Sequence, residues 1–202
     1  MNFSLFKERV YGYLSYLRIE ESEDIDRLIS DSFVGLTEND HFLYRYAGYS
    51  EPLPFMKKEP YTSFLSGSNG YYLVASTLGE IVDYIKEHLN DESKLIFDAC
   101  TNAYLEIKNA ELKEKLGDGL SYLFCPGYQG SDASELKFIL DELSAEEIGI
   151  KVLPSGMMSP IKSMAGIYAK GVKPLKKCGD CLQINNCVYR KAGTVCFRLE
   201  NK

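Results

Sequence analysis

The chain has 202 residues, 45% of them hydrophobic, enough to bury one sizeable core. Twenty-three lysines and arginines against 29 acidic residues leave a net charge of −6, which excludes a basic footprint for nucleic acid. The opening MNFSLFKERV lacks the apolar run of a signal peptide, and no stretch approaches the roughly 20 apolar residues that cross a bilayer, so a soluble cytoplasmic protein without membrane contact is expected.

In chain order, Phe6, Val10, Tyr13, Leu14 and Leu17 share one face of a helix over residues 3–18. Ile25, Leu28, Ile29 and Phe33 do the same in an acidic segment at about 22–34. Residues 35–68, with Pro52, Pro54 and Pro60, read as loop with short strands. The run YYLVAS at 71–76 is a buried-strand candidate, followed by helices at about 79–89 and 98–116. A strand is expected at 120–124, ended by Pro126 and Gly127. Leu136, Ile139, Leu140 and Leu143 then mark a helix. Ile148, Ile150 and Val152 alternate as a half-buried strand does, and a further strand is expected near 163–168. Together 71–76, 120–124 and 148–153 are expected in one sheet. A domain over 1–172 would be followed by a cysteine-rich tail, 173–202, packed on it, ending in the strand-like TVCFRL.

The strand at 71–76 is followed by TLGE, whose single glycine cannot make the phosphate-cradling turn of a dinucleotide site. Only two histidines exist, His41 and His88, which argues against histidine-dependent hydrolysis. Four pieces are more informative: VASTLGEIVDYI; FDACTNAYLE with Asp98 and Glu106; CPGY at Cys125, Pro126, Gly127 and Tyr128; and PSGMMSPIKSMAG with Ser155, Met158, Pro160, Ser163 and Gly166. In order and approximate spacing they resemble the activation (reactivation) domain of cobalamin-dependent methionine synthase, in a stand-alone form. The resemblance covers residues 72–168, with YGYLSYL near the N-terminus a looser match.

It implies an α+β fold with a curved, largely antiparallel sheet, flanked by helices. It also implies binding of S-adenosylmethionine while cobalamin, presented by a corrinoid-binding partner protein, is reductively remethylated. Within it, the backbone of Cys125–Tyr128 contacts S-adenosylmethionine, while Glu106 could hold the methionine ammonium by charge-assisted hydrogen bonds. Physically the same turn reads equally as a type II turn capped by a packed tyrosine, and Glu106 as a solvated helix residue. Asp98 reads as a helix cap. Ser155 and Ser163 could line a corrinoid cleft or serve as turn and cap residues. Met157, Met158 and Met164 suit a macrocycle face or a core. No catalytic acid or base is implied, only an accessory part in methyl transfer. One departure stands out: where the family places an arginine three residues before the proline, this chain has Leu123, and no apolar residue replaces a cationic fork.

Of six cysteines, Cys178, Cys181 and Cys187 form C-x2-C-x5-C beside Lys176 and Lys177, a spacing that suits zinc or an iron–sulfur cluster. Cys196 is the expected fourth ligand and Cys125 the alternative, while Cys100 reads as a buried small hydrophobe. An unmetallated tail or a disulfide formed after purification are the plainer readings. The alternative function is therefore a metal-binding redox or interaction module that keeps the fold without S-adenosylmethionine.

Overall fold

The computed structural model describes residues 1–128, 130–171 and 188–191. The four cysteines of the tail, Cys178, Cys181, Cys187 and Cys196, lie outside them. The described chain divides into two units. One is helical and comprises residues 1–41, 84–111 and 188–191; the other, residues 42–83 and 112–171, contains the sheets.

In the helical unit, α1 (Phe3–Tyr16) buries Phe6, Val10 and Leu14, the i, i+4, i+8 stripe that periodicity marks out. The second helix, α2 (Glu23–Glu38), starts where the Ser22 hydroxyl accepts from the Ile25 amide at 3.3 Å. Three acids in its first turn face the positive end of the helix. Phe33 of α2 meets the rings of Phe3 and Phe6, each at 5.1 Å between centroids. Farther on, α5 runs from Asp91 to Leu116 and contributes residues through Glu111 to this unit.

The sheet unit is built on three antiparallel strands, β1 (Leu43–Tyr49), β2 (Tyr71–Thr77) and β5 (Ser163–Ala169), in the order β1-β2-β5. The register is continuous, from Leu43↔Thr77 to Tyr49↔Tyr71 on one side and from Tyr71↔Ala169 to Thr77↔Ser163 on the other. One face packs Leu73, Ala75, Ala165 and Ile167 against α6 (Leu136–Glu142) and the short helix α3 (Tyr61–Phe64). Val74 and Tyr168 on the opposite face pack against Leu112 and Leu120. Beside β5, Leu120 and Phe124 form single bridges to Lys170 and Ile167.

The 148–153 expectation is corrected. Ile148 closes a 3-10 turn (Ala145–Ile148), Gly149 follows with φ +82°, and only β3 (Lys151–Val152) is extended. That strand pairs with β4 (Met158–Ser159) in a separate ribbon rather than joining the main sheet. Alternating apolar residues can arise from one tight turn and a left-handed glycine, as happens here. The remaining described helices are α4 (Glu80–Glu87) and α7 (Val188–Lys191). No described helix is long and apolar enough to cross a membrane.

Candidate functional site

The Pro-Gly-Tyr turn follows directly on the bridge between Phe124 and Ile167, whose two amide–carbonyl bonds are both 2.9 Å long. The Tyr128 amide donates back to the Cys125 carbonyl at 3.3 Å. With Pro126 second and Gly127 third at φ +90°, this is the arrangement of a type II turn, where a side chain at the third position would be strained. Ser131, which the sequence reading passed over, clamps the loop. Its hydroxyl donates to the Tyr128 carbonyl at 2.7 Å and accepts from the Gly127 amide at 3.1 Å. Asp132 then caps the following helical segment by accepting from the Ser134 amide. The run Ser131–Asp132 after a glycine is a helix-start signal that the sequence did offer.

The consequence is chemical. The amides of Gly127 and Tyr128 are engaged, whereas the carbonyl of Gly127, an exposed residue, accepts no hydrogen bond from any described residue. A ligand meeting this turn meets that acceptor, beside the ring of Tyr128, which is 59% exposed. Amino and hydroxyl hydrogens are what such a surface takes.

Gly166 explains how the turn comes to lie here. A Cβ on Gly166 would stand 2.5 Å from the Phe124 carbonyl oxygen and 3.0 Å from the Leu123 side chain. Only glycine lets residues 123–124 lie on β5. Leu123 packs into the apolar cluster with Val74, Leu112, Leu120 and Tyr168, so this position supplies no cation to a ligand.

The remaining candidates of the segment 154–166 are spread along the ribbon and its exit. Ser155 is an exposed turn residue whose oxygen accepts from the Met157 amide at 3.4 Å. Met157 is 60% exposed, whereas Met158 is half-buried against the core. Ser163 is buried: its hydroxyl donates to the Pro160 carbonyl at 2.7 Å and lies 2.9 Å from Thr77 Oγ1.

Glu106 and Asp98 belong to the helical unit. The Tyr13 hydroxyl donates to Glu106 Oε1 at 2.5 Å and Arg9 reaches Oε2 at 3.4 Å, so this carboxylate ties α1 to α5 while remaining 41% exposed. Asp98 is not a cap. The helix starts at Asp91, where the Asn90 side chain accepts from the Ser93 amide at 2.9 Å. Asp98 instead pairs with Lys86 and accepts from Asn102 at 3.2 Å. Cys100 is fully buried, and burial pushes its thiol up to about 12. Cys125 is half-buried and in no disulfide with a described residue, and among the described residues no three His, Cys, Asp or Glu side chains are grouped as a metal would need.

A second polar cluster was not anticipated. Glu135 is 3% exposed; Tyr61, wholly buried, donates to its Oε2 at 2.6 Å. Lys58 stands 2.5 Å from Oε1, an ion pair without hydrogen-bond alignment. Burial pushes the Glu135 carboxyl up, but the Lys58 ammonium and the Tyr61 hydroxyl outweigh it and hold the group below the ordinary carboxylate range. Lys58 and Glu135 line an open cleft of about 760 Å³ together with Leu53, Pro54, Phe55 and Phe138. Nothing in the sequence joins Tyr61 to Glu135; only folding does.

No protein-family model matches the chain, and no curated protein matches it. Among solved structures it is similar to the crystal structure of the MetH reactivation domain bound to AdoHcy, with a TM-score of 0.59. That likeness covers 96% of this chain and 85% of the other at 14% identity. The α+β fold, an antiparallel sheet with flanking helices, is thus a reactivation-domain fold.

Proposed function

We propose that this chain is a reactivation-domain-like module that binds an S-adenosyl compound at the Cys125–Tyr128 turn and presents it to a corrinoid held by a partner protein. The observation that carries the reading is the turn: the exposed Gly127 carbonyl, which no described residue engages, and an exposed tyrosine ring. It sits in a fold similar to that of a domain crystallised with AdoHcy. An adenine amino group and ribose hydroxyls are donors that match that carbonyl, and the Tyr128 ring offers apolar surface to a flat base. When bound, S-adenosylmethionine would supply an electrophilic methyl group. The chain's part is to bind and orient. Leu123, packed into the apolar cluster, leaves the carboxylate end of the ligand without a guanidinium partner, so weak binding is expected.

Calorimetry with AdoHcy and S-adenosylmethionine tests this. Saturable binding is expected, with at least a tenfold loss in Tyr128→Ala, about 1.4 kcal/mol. Because Tyr128 is mostly exposed, that substitution leaves the fold intact. Absence of heat with either ligand at millimolar concentration, or equal affinity in the variant, overturns the assignment to this turn. The second reading, a metal-binding module, is favoured by the spacing of Cys178, Cys181 and Cys187, which would hold the ion as thiolates.

A further inference from the structure

Directly opposed residues of an antiparallel sheet point to the same face, so Tyr44, Tyr46, Tyr72 and Tyr168 share one face of the β1-β2-β5 sheet. Near its edge the rings form a row. Phe42 lies 5.6 Å from Tyr44, Tyr44 lies 6.4 Å from Tyr46 at an interplanar angle of 19°, and Tyr46 meets Tyr72 edge-on at 6.1 Å. Tyr44 and Tyr46 remain 37% and 52% exposed.

Three lysines sit over these rings: Lys170 at 3.8 Å from the centre of Tyr72, Lys113 at 5.8 Å from Tyr168 and Lys115 at 6.0 Å from Tyr44. Gly48 belongs to the same arrangement, since a Cβ there would stand 3.3 Å from the Lys170 ammonium and 3.0 Å from the Tyr72 ring.

None of the three ammoniums pairs with a carboxylate among the described residues, although Glu114 and Asp118 lie in the same stretch of chain. The protein carries 29 acidic residues and a net charge of −6, so three un-neutralised cations on one sheet face are a local inversion of its charge. A tyrosine ring holds an ammonium in place but does not cancel its charge.

The orientation of the rings narrows what such a face can take. Tyr46 meets Tyr72 edge-on and lies near-parallel to Tyr44, while Lys115 and Lys170 already stand over the rings of Tyr44 and Tyr72. Stacking of nucleobases needs free ring faces, and a polyanion of nucleic-acid length would meet the negative charge of the rest of the protein. Ammoniums and hydroxyl donors together complement carboxylates.

We propose that this face docks an acidic segment of a partner protein, whose carboxylates engage Lys113, Lys115 and Lys170 with Tyr46 at the centre. The proposal does not depend on the ligand of the Pro-Gly-Tyr turn. The probe is a short fluorescein-labelled polyglutamate peptide, titrated by anisotropy into the full chain. Saturable binding is expected that weakens at least tenfold between about 50 mM and 200 mM salt, as charge screening requires.

A K113Q/K115Q/K170Q variant should lose binding at least tenfold, and the milder K115Q/Y46A variant should follow it if the triple variant has an altered circular-dichroism spectrum. Lys137→Gln should bind as wild type. Zero-length carbodiimide coupling should place the peptide on Lys115 or Lys170. Absence of peptide binding, binding untouched by both variants, or coupling confined to other lysines overturns the proposal. So does tighter binding of an oligo-dT or of phosphatidylserine vesicles, which would assign the face to nucleic acid or to membrane.

Discussion

Replacing Gly166 with alanine tests how the Pro-Gly-Tyr turn is held. The added Cβ would lie 2.5 Å from the Phe124 carbonyl oxygen, a backbone atom that cannot rotate away. To reach an ordinary contact the residue 123–124 backbone must lift off β5 by close to an ångström. That breaks or stretches both 2.9 Å bonds between Phe124 and Ile167. Two hydrogen bonds at about 1 kcal/mol each, with overpacking of about 1–3 kcal/mol partly overlapping them, give an expected loss of roughly 2–4 kcal/mol. Urea unfolding measures it, and the slope should stay unchanged because the same surface is exposed. A Leu123→Ala partner substitution should recover little, since the side chain is only the second contact, at 3.0 Å. A loss below about 0.5 kcal/mol, or full recovery by Leu123→Ala, would refute the view that backbone crowding fixes this crossing. If the crossing is lost, affinity for AdoHcy should fall with it, although Gly166 is not itself part of the turn.

Three further outcomes are expected. Tyr61→Phe leaves Glu135 Oε2 buried without its donor and should cost about 1–3 kcal/mol at neutral pH. Because the folded Glu135 pKa is depressed, its contribution is present above the unfolded carboxylate value and is lost as pH falls through the folded one, so the gap between wild type and variant should narrow under acid and widen under no alkaline condition below pH 9, a pattern that urea titrations across pH would check. Anaerobically prepared protein should carry metal that Cys181→Ser abolishes and Cys100→Ser does not. The buried Cys100 thiol, held up to about 12, should resist alkylation until the protein unfolds. Metal-free protein with Cys178, Cys181 and Cys187 all freely alkylated would refute the metal reading.

Much of the helical framework was legible. The stripe Phe6, Val10, Leu14 and the acidic start of α2 carry their burial in their spacing. Residues 71–76 were legible as a strand because β2 is buried on both faces and reads as an apolar run. By contrast β1 was not located within the region read as loop with short strands, since its exposed positions Tyr44 and Tyr46 are aromatic and mask in LYRYAGY the alternation that its burial follows. The start of α5 was misplaced by seven residues for a local reason: Asn90, Asp91 and Glu92 form a clear helix start, but the later Asp98 imitates one. At the candidate site the residue types of CPGY were enough to anticipate its turn. The Ser131 clamp and the pairing of Phe124 with Ile167 join residues whose proximity no local pattern encodes. The Lys58–Glu135–Tyr61 cluster was invisible for the same reason, as were the lysines over the tyrosine row.

The β2–β5 pairing also has a kinetic meaning. Thr77 meets Ser163, so the ladder closes a span of roughly 90 residues, whereas the connection between β1 and β2 is about a quarter of that length. Loop-closure entropy makes the nearer hairpin the earlier event, with β5 arriving afterwards on an already formed edge. Until it does, Phe124 has no partner and the Cys125–Tyr128 turn has nothing to stand on. Competence at that turn should therefore be among the last properties a refolding chain acquires, and a labelled ligand captured there would time the closing of the whole sheet.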